Sequence, residues 1–144
     1  MQIGMVGLGR MGGNMVLRLV RGGHEVIAFD RDADAVSRIS QQGPEGVNSL
    51  QGLVEALDAP RAVWVMVPAG EPTEATISEL AVYLDSGDTI IDGANSNYKD
   101  GMRRSKELIE RGITFLDAGT SGGIWGLEEG YSLMVGGDKA AFDR

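Results

Sequence analysis

Three groups of residues in this chain are of types that can hold a ligand. The first is Gly7-Leu8-Gly9-Arg10-Met11-Gly12, a G-x-G-x-x-G run placed directly after the apolar stretch Gln2–Val6. At this spacing each glycine serves a separate need. The first allows a tight turn off a strand, the second keeps side-chain atoms away from an approaching phosphate, and the third lets the next helix lie close to the strand. That helix begins with unpaired N–H donors at the positive end of its dipole, which suits the pyrophosphate of a dinucleotide. Glycine makes up 22 of the 144 residues, so the run alone is equally a turn without a ligand. The strand before it and the helical pattern after it favour the binding reading.

The second group is Asp30-Arg31-Asp32, with Asp30 lying 18 residues after Gly12. A carboxylate there accepts hydrogen bonds from the adenosine ribose hydroxyls and repels a 2′-phosphate, which favours NAD. Arg31 pulls the other way, because a guanidinium pairs with a 2′-phosphate. NADP therefore stays as the alternative, and Asp32 adds a second negative charge on the same turn. The third group is spread over later turns. Val67-Pro68-Ala69-Gly70 ends an apolar run and offers backbone to a cofactor. Asn95 can donate to one partner and accept from another, so it suits a bridge between the nicotinamide ribose and a polyhydroxylated substrate. It or Ser96 serves equally well as the cap of the helix that begins near Tyr98. Ser121-Gly122-Gly123 presents consecutive N–H groups and a hydroxyl, an anion nest or simply a loop.

The elements that must position these residues alternate. Strands are expected at Gln2–Val6, Glu25–Phe29, Gly46–Val47, Arg61–Val67, Thr89–Asp92, Ile113–Leu116 and Tyr131–Val135. Helices are expected at Met11–Arg21 (with Met15, Leu19 and Val20 on the sheet side), Ala33–Gln42, Leu50–Leu57, Thr73–Leu84, Tyr98–Arg111 and from Ala140 onward. Gly119–Gly130 reads as a long glycine-rich loop, with or without a helical turn. This order specifies an α/β fold, a Rossmann-type doubly wound and mostly parallel sheet with helices on both faces. Ligands on such sheets bind beyond the C-terminal strand ends, here Gly7, Asp30, Val67, Asp92 and Asp117. The scattered groups therefore converge on one crevice.

Composition narrows the chemistry. Hydrophobic residues are 42%, charged residues 24% and the net charge is −8. No basic stripe marks a nucleic-acid surface, no apolar run is long enough for a membrane span, and the N-terminus lacks a signal-peptide pattern. With no cysteine and one histidine, a metal centre is not expected. His24 reads as a surface turn residue, Trp64 as core, and Trp125 as a pocket wall or a packing residue. The cysteine-free composition fits a reducing cytoplasm.

Taken together, Gly7–Gly12, Phe29–Asp32, Met66–Gly70, Ile90-Ile91-Asp92-Gly93-Ala94-Asn95-Ser96, Ser121–Gly123 and Ser132-Leu133-Met134-Val135-Gly136-Gly137 resemble the 6-phosphogluconate dehydrogenase family, in its order and over nearly the whole chain. Two departures stand out. NADP-type members tend to have Asn-Arg-Thr at the place of Asp30-Arg31-Asp32, and longer members carry acidic residues where this chain has Ile124-Trp125. Both departures are similar to the shorter, NAD-preferring bacterial branch.

The resemblance implies oxidation of 6-phosphogluconate at C3 with hydride passed to the nicotinamide, then loss of CO₂ to give ribulose 5-phosphate. It implies that Gly7, Leu8, Gly9, Arg10, Met11, Gly12, Asp30, Arg31, Asp32, Val67, Pro68, Ala69 and Asn95 hold cofactor. Asn95, Ser121, Gly122 and Gly123 would contact substrate. The general-base lysine and the acid glutamate are expected after Arg144, so no catalytic residue is expected within 1–144. This span reads as an NAD(P)-binding domain cut before its last elements. A helical domain, through which the whole protein forms a homo-oligomer, is expected to follow. Two other functions fit the same motifs: a 3-hydroxyisobutyrate-type dehydrogenase, and a dinucleotide-binding module without turnover.

Overall fold

The structure is a computed structural model that describes residues 1–144, apart from the side chain of Ile124. Seven strands form one sheet: β1 (Gln2–Val6), β2 (Glu25–Phe29), β3 (Glu45–Gly46), β4 (Ala62–Val65), β5 (Thr89–Asp92), β6 (Thr114–Ser121) and β7 (Ser132–Gly137). Their spatial order is β3-β2-β1-β4-β5-β6-β7. All pairings are parallel except β6 with β7, which is antiparallel. Between them run α1 (Arg10–Arg21), α2 (Ala33–Ser40), α3 (Leu50–Glu55), α4 (Glu71–Tyr83), α5 (Tyr98–Ile109), α6 (Gly126–Glu129) and α7 (Lys139–Asp143). The expected doubly wound α/β fold is the one observed.

The central strands are largely apolar because both faces are covered. On β1, Ile3 and Met5 join one core layer, which contains Met15 and Val16 of α1 and Val36 and Ile39 of α2. Val6 faces the opposite layer, built with Leu53 of α3, Leu80 of α4 and Leu108 of α5. Val16 of α1 is fully buried, whereas Leu19 and Val20 only border the core. The α1 stripe is thus rotated from the expected one toward Val16. Trp64 is core, as expected, at 8% exposure. No helix among the described residues is long and apolar enough to cross a membrane.

The largest difference from expectation lies at β6. The strand does not stop at Leu116 but runs on to Ser121, through part of the expected loop. Antiparallel β7 supplies its hydrogen-bond partners, pairing Ala118 with Val135 and Ser121 with Ser132. Beyond the Asp92–Asp117 register, four further residues lift Ser121 about 13 Å along the strand at the usual rise per residue. The rest of the expected loop is a 3₁₀ turn over Gly123–Trp125 followed by α6. Trp125 neither walls a pocket nor packs, being 71% exposed.

Candidate functional site

The strand order reverses between β1 and β4, and that switch point opens a crevice beyond the C-terminal strand ends. The Gly7–Gly12 turn leaves β1 on one side of it. Gly7 takes φ +98°, and a Cβ there would strike the Met66 carbonyl. A Cβ on Gly12 would strike the Gly7 carbonyl, so this glycine lets α1 sit against the turn. A Cβ on Gly9 would meet no atom within 4 Å. Packing therefore requires glycine at 7 and 12, whereas the space at 9 stays open toward solvent. Gly9 is also the N-cap of α1, with no side-chain hydrogen bond and no acidic residue in the first turn. The N–H groups that begin the helix, from Arg10 through Met11 and Gly12, are thus left for an anion.

Asp30 ends β2 beside this turn. Leu8 N–H donates to its Oδ2 at 2.6 Å, and Asp32 N–H donates to its Oδ1 at 2.8 Å. Besides offering lone pairs to a ligand, Asp30 pins the glycine turn to β2. Asp32 caps α2 by accepting from Asp34 N–H and pairs with Arg38 at 3.5 Å on the surface. A cleft of about 670 Å³ connects Gly7, Gly9, Asp30, Arg31, Val67 and Pro68. Sequence reasoning missed its far wall, Asn48 and Ser49 before α3 and Thr76 and Glu79 on α4. Their only signal is position, after β3 and on the helix that follows the Val67–Gly70 turn. The turn itself is held down by Thr73 Oγ1, fully buried, which donates to the Pro68 carbonyl at 2.9 Å. Ala69 is exposed.

Asn95 and Ser121–Gly123 are not among the residues lining that cleft; they follow β5 and β6 on the same sheet edge, where the chain is assembled differently. Asn95 has φ 56° and is the one residue other than glycine with positive φ among those described. Asparagine tolerates this conformation better than most side chains. Its Nδ2 donates to the Thr120 carbonyl at 3.1 Å, and its Oδ1 accepts from Thr120 N–H at 2.9 Å. The amide thus spends one donor and one lone pair clamping the end of β5 to the extension of β6, and keeps one of each for a ligand. Neither Asn95 nor Ser96 caps α5. Asn97 does, accepting from Lys99 N–H, because Asn95 is turned toward Thr120. Ser96 Oγ is buried without a hydrogen-bond partner.

Ser121 ends β6 rather than opening a turn after Leu116, and Gly122 follows with φ +149°. Asn95 and Ser121 are therefore neighbours joined through Thr120. Tyr131, which sequence reasoning passed over, supports this corner. A Cβ on Gly122 would come within 2.8 Å of its ring, and one on Gly126 would overlap that ring. Burial pushes the pKa of the Tyr131 hydroxyl up, with the Arg18 charge and Asn14 opposing.

A buried ionic group lies beneath the Asn95 loop, and it too was missed. Arg104 of α5, at 2% exposure, donates from Nη1 to Asp92 Oδ2 at 2.9 Å and from Nε to Glu74 Oε2 at 2.9 Å. Asp92 is fully buried, and its Oδ1 accepts from Ala94 N–H at 3.0 Å. Glu74 also accepts from Arg103 at 2.7 Å. The Arg103 hydrogen bond first, and then that of Arg104, hold its carboxyl below the ordinary range against the opposing effect of burial. Asp117 stands opposite Asp92. Burial first, and then the Asp92 charge, raise its pKa, with Arg104 opposing. Gly101, Arg104 and Leu108 are the buried positions of α5, so a cation sits on the helix's inner stripe, which the run of charges in the sequence does not single out. No group of acidic and histidine side chains among the described residues is placed to hold a metal ion.

A parallel sheet with a glycine turn at its switch point, an uncapped helix N-terminus and a carboxylate at the end of β2 defines a Rossmann-type dinucleotide-binding domain. Comparison with known proteins narrows this. The family described as the NAD binding domain of 6-phosphogluconate dehydrogenase matches residues 2–144, and the chain belongs to that family. It is 44% identical over 144 residues to the NAD(+)-dependent, decarboxylating 6-phosphogluconate dehydrogenase of Haloferax volcanii, covering all of this chain and 47% of that relative. Among solved structures, it is similar to Plasmodium falciparum 6-phosphogluconate dehydrogenase, described in its apo form and with NADP+ or 6-phosphogluconate. The TM-score is 0.90 with 32% identity, over 99% of this chain and 32% of that one. Mycobacterium tuberculosis 3-hydroxyisobutyrate dehydrogenase gives a TM-score of 0.90 with 29% identity, over 99% of this chain and 48% of that one. The chain thus spans about half, or less, of the length of these proteins.

Proposed function

We propose that residues 1–144 are the cofactor-binding domain of an NAD-dependent 6-phosphogluconate dehydrogenase that decarboxylates its product. One observation carries this reading: the uncapped start of α1 beside open Gly9 and the Asn95–Thr120–Ser121 corner lie on the same C-terminal edge of the parallel sheet. The first suits a pyrophosphate and the second a hydroxy acid. When bound, the nicotinamide accepts a hydride from substrate C3. This chain's residues bind and orient. Gly7–Gly12 hold the pyrophosphate, Asp30 with Arg31 and Asp32 the adenosine ribose, and Val67–Ala69 the cofactor's inner side. Asn95 offers its spare N–H and lone pair to the substrate or the nicotinamide ribose. Ser121, Gly122 and Gly123 offer a hydroxyl and N–H groups to the sugar acid.

In this reading the proton from the C3 hydroxyl goes to a lysine beyond Arg144, and the resulting 3-keto acid loses CO₂. The helical domain that would carry that lysine also joins the subunits of a homo-oligomer. The enzyme works in the cytoplasm on a phosphosugar acid, with neither nucleic acid nor membrane as partner. Asp30 and the identity to an NAD(+)-dependent relative support NAD over NADP.

The test is an assay of the full-length protein with each cofactor, following reduced nicotinamide and released CO₂ together. Both should appear with 6-phosphogluconate and NAD, and the 144-residue chain alone should give no steady turnover. The 29% identity to a 3-hydroxyisobutyrate dehydrogenase at TM-score 0.90 makes that hydroxy acid the informative rival. Turnover of it, and not of 6-phosphogluconate, would replace the substrate assigned here.

A further inference from the structure

We propose that Arg104 is a positioning residue of the crevice: its guanidinium fixes the loop carrying Asn95 against the helix that follows the cofactor-side turn, and so sets the spacing between the two. The inference rests on the function proposed above. Its basis is a continuous path of hydrogen bonds. On one side, Arg104 Nη1 reaches Asp92 Oδ2 at 2.9 Å, and Asp92 Oδ1 holds Ala94 N–H at 3.0 Å. The chain then enters the left-handed conformation at Asn95, whose amide clamps Thr120 from both sides. Ser121 is the next residue. On the other side, Arg104 Nε reaches Glu74 Oε2 at 2.9 Å. Glu74 lies in the first turn of α4, immediately after Val67–Gly70. Thr73, beside it, ties that turn to the helix through the Pro68 carbonyl. One side chain therefore spans from the residue that begins the substrate loop to the helix that carries the cofactor turn.

Net stability does not explain why a charge sits here. Taking a guanidinium and a carboxylate out of water costs about as much as their attraction returns, and well-packed apolar residues often do as well. What an apolar replacement cannot do is aim. The guanidinium is a planar fork with donors in two fixed directions, and a lysine ammonium is a point charge that does not reproduce them. The site needs that aim, since the loop backbone turns on the oxygen of Asp92 that Arg104 does not use.

The experiment uses the full-length protein and the variants Arg104→Lys, Asp92→Asn and Glu74→Gln. It measures kcat and KM for 6-phosphogluconate, NAD affinity, melting temperature, and hydrogen exchange at the Thr120 amide. Arg104→Lys should keep the charge and the NAD affinity. It should lose about 10- to 100-fold in kcat, the scale of a displacement of about 1 Å at reacting groups, and exchange Thr120 faster. Asp92→Asn should follow it. Glu74→Gln, which leaves the Asp92 contact in place, should fall between these and wild type.

A lower melting temperature in Arg104→Lys with kcat and Thr120 exchange unchanged would overturn the proposal and leave Arg104 a scaffold residue. If Arg104→Lys fails to fold, Asp92→Asn provides the same readouts, and unchanged kcat and Thr120 exchange there would overturn the proposal equally. A wild type that binds NAD but does not oxidise 6-phosphogluconate would refute the functional reading instead, and Thr120 exchange would still decide the role of Arg104.

Discussion

The two parts of the proposed site are built by opposite means. The cofactor side, Gly7–Gly12 with the start of α1, is backbone with side chains withheld: Gly7 and Gly12 are required by packing, and Gly9 leaves space that no protein atom fills. The side proposed for substrate is backbone held by side chains. Asn95 grips Thr120, Tyr131 lies under Gly122, and Asp92 with Arg104 holds Ala94. A pyrophosphate is recognised by N–H groups any sequence supplies once the turn is made. A hydroxy acid at a nicotinamide must be oriented, and orientation calls for a rigid corner. The first side should therefore be sensitive to added atoms and the second to removed ones.

The largest effect should come from breaking the substrate side at its base. Arg104→Met leaves Asp92 buried and uncompensated, and should cost about 3–5 kcal/mol of unfolding free energy, read by urea denaturation. Next is Asn95→Asp, which keeps the shape and the acceptor but removes the donor to the Thr120 carbonyl. The loss should be about 1–3 kcal/mol, seen in catalysis by the full-length enzyme as lower kcat together with higher KM. An Asn95→Asp enzyme with wild-type kinetics would mean that the clamp does not orient substrate.

Gly9→Ala sharpens the contrast from the other side. The new Cβ meets no protein atom, so stability should stay within about 0.5 kcal/mol of wild type, while calorimetric titration should show weaker NAD binding. Stability and affinity falling together would show that Gly9 serves the fold instead.

The smallest effect concerns pH. Glu74 has a lowered pKa in the fold, so its contribution is present above the ordinary carboxylate range and is lost as pH falls through the lowered value. Asp117 has a raised pKa, so its contribution is full below the ordinary range and is lost as pH rises through the raised value. Urea melts at about pH 7 and about pH 3 should separate the two. Glu74→Gln should be less stable than wild type at the higher pH and converge with it at the lower. Asp117→Asn should gain on wild type at the higher pH and give the gain back in acid.

This division also marks what could be read from the amino-acid sequence. Strand and helix order was legible because most strands contain a short apolar run followed by glycine, proline or aspartate, and the glycine turn and Asp30 followed from spacing. The end of β6 was not legible. Gly119-Thr120-Ser121 has the composition of a loop and is a strand only because β7 returns beside it, a tertiary pairing that overrides local preference. Asn95, Ser96 and Asn97 are three residues of capping type in a row, and only the contact with Thr120 decides that the third one caps. Arg104 follows another arginine in a highly charged helix, and its role is visible only once Asp92 and Glu74 converge on it.

Gly93, the residue just past β5, lies against Trp64 of neighbouring β4. A Cβ on Gly93 would overlap the indole nitrogen of Trp64, and that nitrogen, though buried, has no hydrogen-bond partner. Neither position is free to drift in evolution while the other stays. Any residue larger than glycine at 93 demands a smaller one at 64, and a smaller residue at 64 opens a void that a side chain at 93 can fill. Across descendants of this sequence the two sites should change as a couple or not at all. Because Gly93 stands next to the Asp92–Ala94 contact, a swap there would be felt at the Asn95 loop, so the couple should persist longest in lineages that keep the same substrate.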